Sequence, residues 1–127
     1  MFIFFIILAY KLFLHITIAM ILISKYLIPN RYSGLAIYPF IFLKNKSLSD
    51  NYELINHERI HLKQQIELLW VFFFIWYVIE FLFHLIRLRD WNKAYHTISF
   101  EKEAYQNENN TTYIQNRKFW AFTKYLF

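Results

Sequence analysis

The sequence has no cysteine, one glycine and two prolines among its 127 residues. Without cysteine there is no disulfide framework and no thiolate metal ligand, so a transition metal would have to be held by histidine and carboxylate side chains. Charged residues are scarce at 18%, whereas hydrophobic residues make up 57% and aromatic residues 23% of the chain. This balance differs from that of soluble globular proteins and indicates a membrane protein of one small domain.

The net charge of +5 is spread along the chain. Lysine and arginine stand between apolar segments and form no continuous basic stripe of the kind that binds nucleic acid. Attraction to anionic lipid headgroups explains the charge better. We therefore expect the lipid bilayer, and no nucleic acid, among the partners.

Residues 2–23 approach the roughly 20 apolar residues that cross a bilayer core. The first ten residues of the chain carry no charged side chain, unlike the basic start of a cleaved signal peptide. Lys11 and His15 interrupt the run four residues apart and so share a helix face. The segment predicts a retained transmembrane anchor within residues 1–28.

Turn-forming residues at 29–34 end this predicted helix. The aromatic and branched residues 35–43 are typical of an edge strand or hairpin, which could pair with an extended substrate. Ser49 or Asp50 is a candidate N-cap for a helix that begins near Tyr52. The next part of the chain is therefore predicted to be mainly helical.

Residues 66–88 are apolar enough to cross a membrane, although they include Glu80 and His84. These two side chains are four residues apart and most often form a buried hydrogen bond. Ser99 is the candidate N-cap of a later helix. The basic and aromatic residues 111–127 are typical of an interfacial tail.

His57, Glu58 and His61 form the pattern H-E-x-x-H within LINHERIHLKQQ, residues 54–65. On a helix, four residues advance the chain by about 6 Å and return it to nearly the same face, so both imidazoles can reach one zinc ion. Glu58 would be the general base that takes a proton from the zinc-bound water.

Helical periodicity places the three motif residues on a largely apolar half of the cylinder. The opposite half is polar and is expected to face away from the site. Its members are Asn56, Arg59, Lys63 and Glu67.

A second motif, FEKEAY, offers Glu101 and Glu103 on the later helix. Together, HERIH and EKEAY resemble the H-E-x-x-H and E-x-x-A-D motifs of membrane-bound gluzincin peptidases, such as the CAAX prenyl proteases and the β-lactam sensor-transducers. The resemblance implies zinc held by His57, His61 and Glu101, and hydrolysis of a peptide or protein substrate. It ends at Tyr105, where the family has the aspartate that orients the site.

On this interpretation residues 29–110 form a minimal zincin-like unit between the anchor and the tail. The site can form only if residues 66–88 do not cross as one straight helix, because His57 and Glu101 would then lie about 30 Å apart. We therefore predict that this segment folds back, with a bend near residues 70–77, although no glycine or proline is present there.

Basic residues flank the apolar segments on both sides. With one transmembrane helix, both flanks lie on the same side of the membrane. We therefore expect an integral protein of the bacterial inner membrane with the site on the cytoplasmic side.

Several polar side chains could complete the site. Tyr95, His96 or Tyr105 could donate a hydrogen bond to an oxyanion. Glu103 or His96 could be the fourth ligand of a closed, structural metal site. The main alternative to a zinc metallopeptidase is therefore a non-catalytic membrane sensor or assembly protein. A third is a two-span membrane protein in which the motif is accidental.

Overall fold

The computed structural model describes residues 1–4, 7 and 19–126. The protein is mainly helical, as predicted, with a small sheet near its N-terminus. The strands are β1 (Met20–Ile23), β2 (Gly34–Ile37) and β3 (Phe40–Leu43), and a 3-10 helix follows at Lys46–Asp50. The helices are α1 (Tyr52–Glu67), α2 (Val71–Leu88), α3 (Trp91–Thr97), α4 (Ser99–Asn107) and α5 (Tyr113–Asn116), before a 3-10 helix at Ala121–Tyr125.

The sheet has the order β1-β3-β2. β2 and β3 form an antiparallel hairpin, in which Gly34 pairs with Leu43 and Ile37 with Phe40. The peptide bond between Tyr38 and Pro39 is cis and lies in the turn, where proline does not have to donate to the ladder. Residues 35–43 therefore form a hairpin, one of the two predicted arrangements.

β1 corrects the predicted anchor, which extended as a helix to residue 23. Residues 20–23 are a strand that pairs parallel to β3. Their branched apolar side chains suit a strand as well as a membrane helix, so composition could not separate the two. Residues 2–4 are helical, whereas Lys11 and His15 lie outside the described residues.

α1 lies at the centre of the fold, between the sheet and α4. On one side, Ile55 and Leu62 pack against the sheet residues Ala36, Ile41 and Leu43. A second cluster joins α2 to α4 and to the C-terminal segment, residues 111–126. Its members are Leu68, Phe73, Ile98, Phe100 and Phe122. Since α1 itself packs against both the sheet and α4, it buries two faces.

The helix breaks between α1 and α2, at residues 68–70 rather than at 70–77 as predicted. Leu69 and Trp70 adopt the positive φ angles 53° and 58° without being glycine. Main-chain hydrogen bonds from Leu69 N to Ile66 O and from Trp70 N to Gln65 O close the turn. Such conformations cost about 1–2 kcal/mol per residue, and the buried side chains on both sides of the turn offset that cost.

The predicted N-caps of α1 and α4 are both wrong: the cap of α1 lies one position after Asp50, and Ser99 lies inside α4. Asn51, not Ser49 or Asp50, caps α1 by accepting a hydrogen bond from Leu54 N at 3.1 Å. Ser99 is the first residue of α4, and its main-chain N–H donates to Glu80 on α2. The start of α4 is thus capped by another helix.

α2 is the one described helix that is long and apolar enough to cross a membrane, with a mean hydropathy of 1.9. Only 11% of that window is buried within the protein. The C-terminal segment is partly buried: Phe122 is inaccessible, whereas Phe119 and Trp120 are exposed. Whether these exposed rings contact a membrane stays a prediction.

Candidate metal centre

α1 and α4 bring the three predicted zinc ligands together. His57 and His61 lie one turn apart on α1, and Glu101 lies in the first turn of α4. All three are at least 94% buried, with exposures of 5%, 6% and 2%. They form a group whose candidate ligand atoms lie within 4.8 Å of one another, so it could hold a metal ion.

The distances within this group fit a small tetrahedral ion. The two Nε2 atoms are 3.1 Å apart, and Glu101 approaches His57 Nε2 at 3.2 Å and His61 Nε2 at 3.3 Å. Ligands about 2.0–2.1 Å from a tetrahedral zinc ion are about 3.3 Å from each other. Glu101 uses Oε2 toward His57 and Oε1 toward His61, and each of the three separations is close to one edge of such a site.

The outer nitrogen of each histidine faces an acceptor. His57 Nδ1 lies 2.9 Å from Glu108 Oε2, and His61 Nδ1 lies 2.8 Å from Gln64 Oε1. Both partners can accept from Nδ1, so in the neutral rings that a metal ion requires the proton lies on Nδ1. The Nε2 lone pairs then point toward each other and toward Glu101, and a cation at that point would relieve the repulsion.

Glu108 contacts the candidate metal group through His57, and the sequence interpretation missed it. It lies seven positions after Glu101, whereas the family's aspartate stands at the position of Tyr105. The side-chain amide of Asn56 donates to the main-chain oxygens of residues 107, 108 and 110, which fixes the end of α4 against α1. Asn56 is therefore buried, in contrast to its predicted place on the polar half of α1.

The electrostatics of the group favour positive charge. Burial lowers the pKa of His61, but the charge of Glu101 and its hydrogen bond outweigh this and raise it to about 9. Burial raises the pKa of Glu101, but the charge of His61 and hydrogen bonds from both histidines hold it well below its usual range. A proton or a metal cation can supply this charge.

Glu58 lies beside the group, in a position where it can accept a proton. It accepts a hydrogen bond from the main-chain N–H of Ala36 on β2 and is 5% exposed. Burial raises its pKa and Glu101 adds to the effect, while His61 and His57 partly offset it. A carboxylate with a raised pKa is a stronger base.

Two cavities meet at Glu58. One, of about 370 Å³, is largely apolar; side chains of α2 and Trp91 line it together with Glu58, His61 and Glu101. The other, of about 260 Å³, is polar and is lined by Arg31, Glu53 and Glu108, among others. Residues that line both are Tyr32, Gly34, Glu58 and Tyr95.

The other predicted site residues fall into different places. Tyr95 reaches the junction of the cavities and Tyr105 lines the polar one, with its ring 4.5 Å from that of His57. Burial, followed by the charge of Glu101, raises the pKa of Tyr95, which keeps it a proton donor. His96 is exposed and stacks on Tyr105, and Glu103 faces away from the group toward Arg117.

Glu80 and His84 do not form the predicted hydrogen-bonded pair. Glu80 accepts from Ser99 N at 2.7 Å, Ser99 Oγ at 2.6 Å and Trp76 Nε1 at 2.6 Å. His84 Nδ1 is buried and has no hydrogen-bond partner in the described part of the chain. Glu80 thus holds the start of the helix that carries Glu101.

Tyr77 on α2 also contacts the group directly. Its hydroxyl donates to Glu101 Oε1 at 2.7 Å. Its position inside an apolar helix gave no sign of this role.

Comparisons of the chain with protein-family models, curated proteins and solved structures find no match.

Proposed function

We propose that the protein is a membrane-associated zinc peptidase that hydrolyses peptide bonds next to large apolar side chains. His57, His61 and Glu101 would hold the zinc, and Glu58 would act as general base. One observation carries the proposal: a buried His-His-Glu group and a carboxylate of raised pKa share the junction of two cavities.

Each protein group has a task in this reaction. Zinc would polarise the scissile carbonyl and acidify the attacking water. Glu58 would take the proton of that water, and its contact with Ala36 N–H holds its carboxylate at the junction of the two cavities. Tyr95 has a raised pKa and lines both cavities, so its hydroxyl could donate to the oxyanion.

The edge of β2 supports an extended substrate over a short length. Ala36 already engages Glu58 through its N–H and the Gln65 side chain through its carbonyl. Gly34, two residues earlier, directs its main-chain groups the same way, away from β3 and toward the cleft. A peptide strand can therefore pair at Gly34, where both cavities begin.

The larger cavity is mostly apolar and the smaller one is polar, which supports a preference for a large apolar side chain next to the cleaved bond. Phe73, Phe74, Val78 and Phe81 of α2 line the larger cavity. Its volume lies within the range of pockets that hold organic ligands. A peptide that crosses the junction would place a large apolar side chain there and polar groups on the other side.

The alternative, a structural metal site, needs a fourth protein ligand. Within the described residues the metal group has three members. Glu103 and His96, the predicted fourth ligands, have other partners: Glu103 binds Arg117, and His96 Nδ1 donates to Asn92 O at 2.7 Å. Three ligands beside a cavity favour a catalytic site.

The test compares purified wild-type protein with Glu58→Gln and His61→Ala. We expect one zinc per wild-type chain, a similar content in Glu58→Gln, and a loss in His61→Ala. A peptide mixture should be cleaved next to phenylalanine or leucine by the wild type and at least about 100-fold more slowly by Glu58→Gln, because the base is lost.

Arg59→Gln is the matched control, since Arg59 follows Glu58 in sequence and is exposed. It should retain both zinc and cleavage. Wild-type protein with no more zinc than His61→Ala would refute the metal centre. Cleavage that Glu58→Gln retains would refute the catalytic role of Glu58.

A further inference from the structure

A chain of buried polar contacts runs from His61 to the C-terminal segment. His61 Nδ1 donates to Gln64 Oε1, and Gln64 Nε2 donates to Glu103 Oε2 at 3.0 Å. Glu103 in turn binds Arg117 through Nε and, at 3.1 Å, through Nη2. Gln64 and Glu103 are inaccessible, and the Arg117 side chain is 3% exposed.

The hydrogen-bond partners of Gln64 fix the orientation of its side-chain amide. Its NH₂ group faces two groups that can only accept, Phe100 O at 3.1 Å and the Glu103 carboxylate. Its oxygen must therefore face His61 Nδ1, which then carries a proton and leaves Nε2 free as a ligand.

Arg117 holds the Glu103 carboxylate in place. It pairs with both Glu103 and Glu67, and the hydroxyl of Tyr113 donates to Glu103 Oε1 at 2.9 Å. A buried carboxylate needs such partners. The position of the acceptor that faces Gln64 thus depends on a residue of the C-terminal segment.

We propose that Gln64, Glu103 and Arg117 are positioning residues that orient His61 for metal binding. Through Arg117, the C-terminal segment thus contributes to the affinity of the metal centre. This inference rests on the metal centre of the proposed function but not on peptidase activity. Loss of such an outer contact typically weakens metal binding by roughly 10- to 100-fold.

The adjacent Gln65 provides a matched control. It is equally buried and also uses both ends of its amide, accepting from Tyr38 N at 2.8 Å and donating to Ala36 O at 2.8 Å. Those partners belong to β2 and to the turn that follows it, and neither is a histidine. Gln64→Met and Gln65→Met therefore remove similar buried hydrogen bonds with different consequences for His61.

The experiment measures zinc dissociation constants by chelator competition on the full-length protein in detergent, and the absorption spectrum of the cobalt-substituted form. Gln64→Met should raise the zinc Kd roughly 10- to 100-fold and change the cobalt spectrum. Gln65→Met should change the Kd less than about 3-fold and keep the wild-type spectrum. Equal changes in both variants, or an unchanged Gln64→Met, would overturn the proposal.

A second pair of variants, with milder substitutions, tests the contact between Glu103 and Arg117. It also guards against variants that do not fold. Arg117→Lys keeps the charge but loses the two-pronged contact with Glu103, so the zinc Kd should rise about 3- to 10-fold. Lys118→Arg, next to it and exposed, should leave the Kd unchanged. An unchanged Kd in Arg117→Lys would show that the C-terminal segment does not help to position His61. A wild type without metal would refute both this positioning role and the metal centre.

Discussion

The single glycine of the chain, Gly34, stands directly opposite the proposed base. A Cβ atom at this position would lie 2.7 Å from Glu58 Oε1 and 3.2 Å from its Cδ and Cγ. Real side chains do not approach so closely, so a larger residue must displace the carboxylate. In a sequence that almost lacks glycine, this one is required by a close approach to the site.

Gly34→Ala should therefore separate chemistry from metal binding. A displacement of Glu58 by about 1 Å is expected to lower kcat by roughly 100-fold, because proton transfer depends on the placement of the base. Zinc content, measured on the same sample, should equal that of the wild type. Ser47→Ala, at an exposed position that lines neither cavity, is the control. Equal activity of the two variants would show that Glu58 needs no glycine opposite it.

At the scale of single helices, the sequence predicted the start of α1, the shared face of the motif residues and the later helix with Glu101. These follow from local periodicity and spacing. It did not predict Glu108, Gln64 or Tyr77 as contacts of the group, since those depend on how three helices pack. The bend was displaced for a related reason: Leu69 and Trp70 carry no turn signal, and tertiary packing holds them there.

Glu80 links two of these helices, and its loss should weaken both the fold and the site. Glu80→Met leaves Ser99 N–H, Ser99 Oγ and Trp76 Nε1 without their acceptor, which should lower the free energy of unfolding by about 2–3 kcal/mol. The zinc Kd should also rise, because Glu101 lies two residues after Ser99. Urea unfolding and chelator competition measure the two effects.

Glu53→Met is the comparison for Glu80→Met. Glu53 is an exposed glutamate in the first turn of α1, where its interaction with the helix dipole amounts to less than about 1 kcal/mol. If both variants lose the same stability, the contact between Glu80 and Ser99 contributes nothing specific.

At the scale of the whole molecule, the question is how an apolar helix fits beside a polar site. α2 exposes a continuous apolar face that includes Phe72, Ile75, Ile79 and Phe83. Its other face contacts α3 and, through Glu80 at mid-helix, the start of α4. A straight crossing would place these polar contacts at bilayer depth, so under the proposed membrane association α2 would lie with one face in the membrane and the other on the protein.

The absence of cysteine makes this arrangement directly testable. In Arg59→Cys and Gln106→Cys, both at exposed positions on α1 and α4, the introduced thiol is the only one in the chain. A membrane-impermeant thiol reagent should label both from the same side of sealed vesicles, because His57 and Glu101 are in contact. Labelling from opposite sides would separate the ligands by a bilayer and leave H-E-x-x-H an accidental motif, whereas same-side labelling is what the metal centre requires.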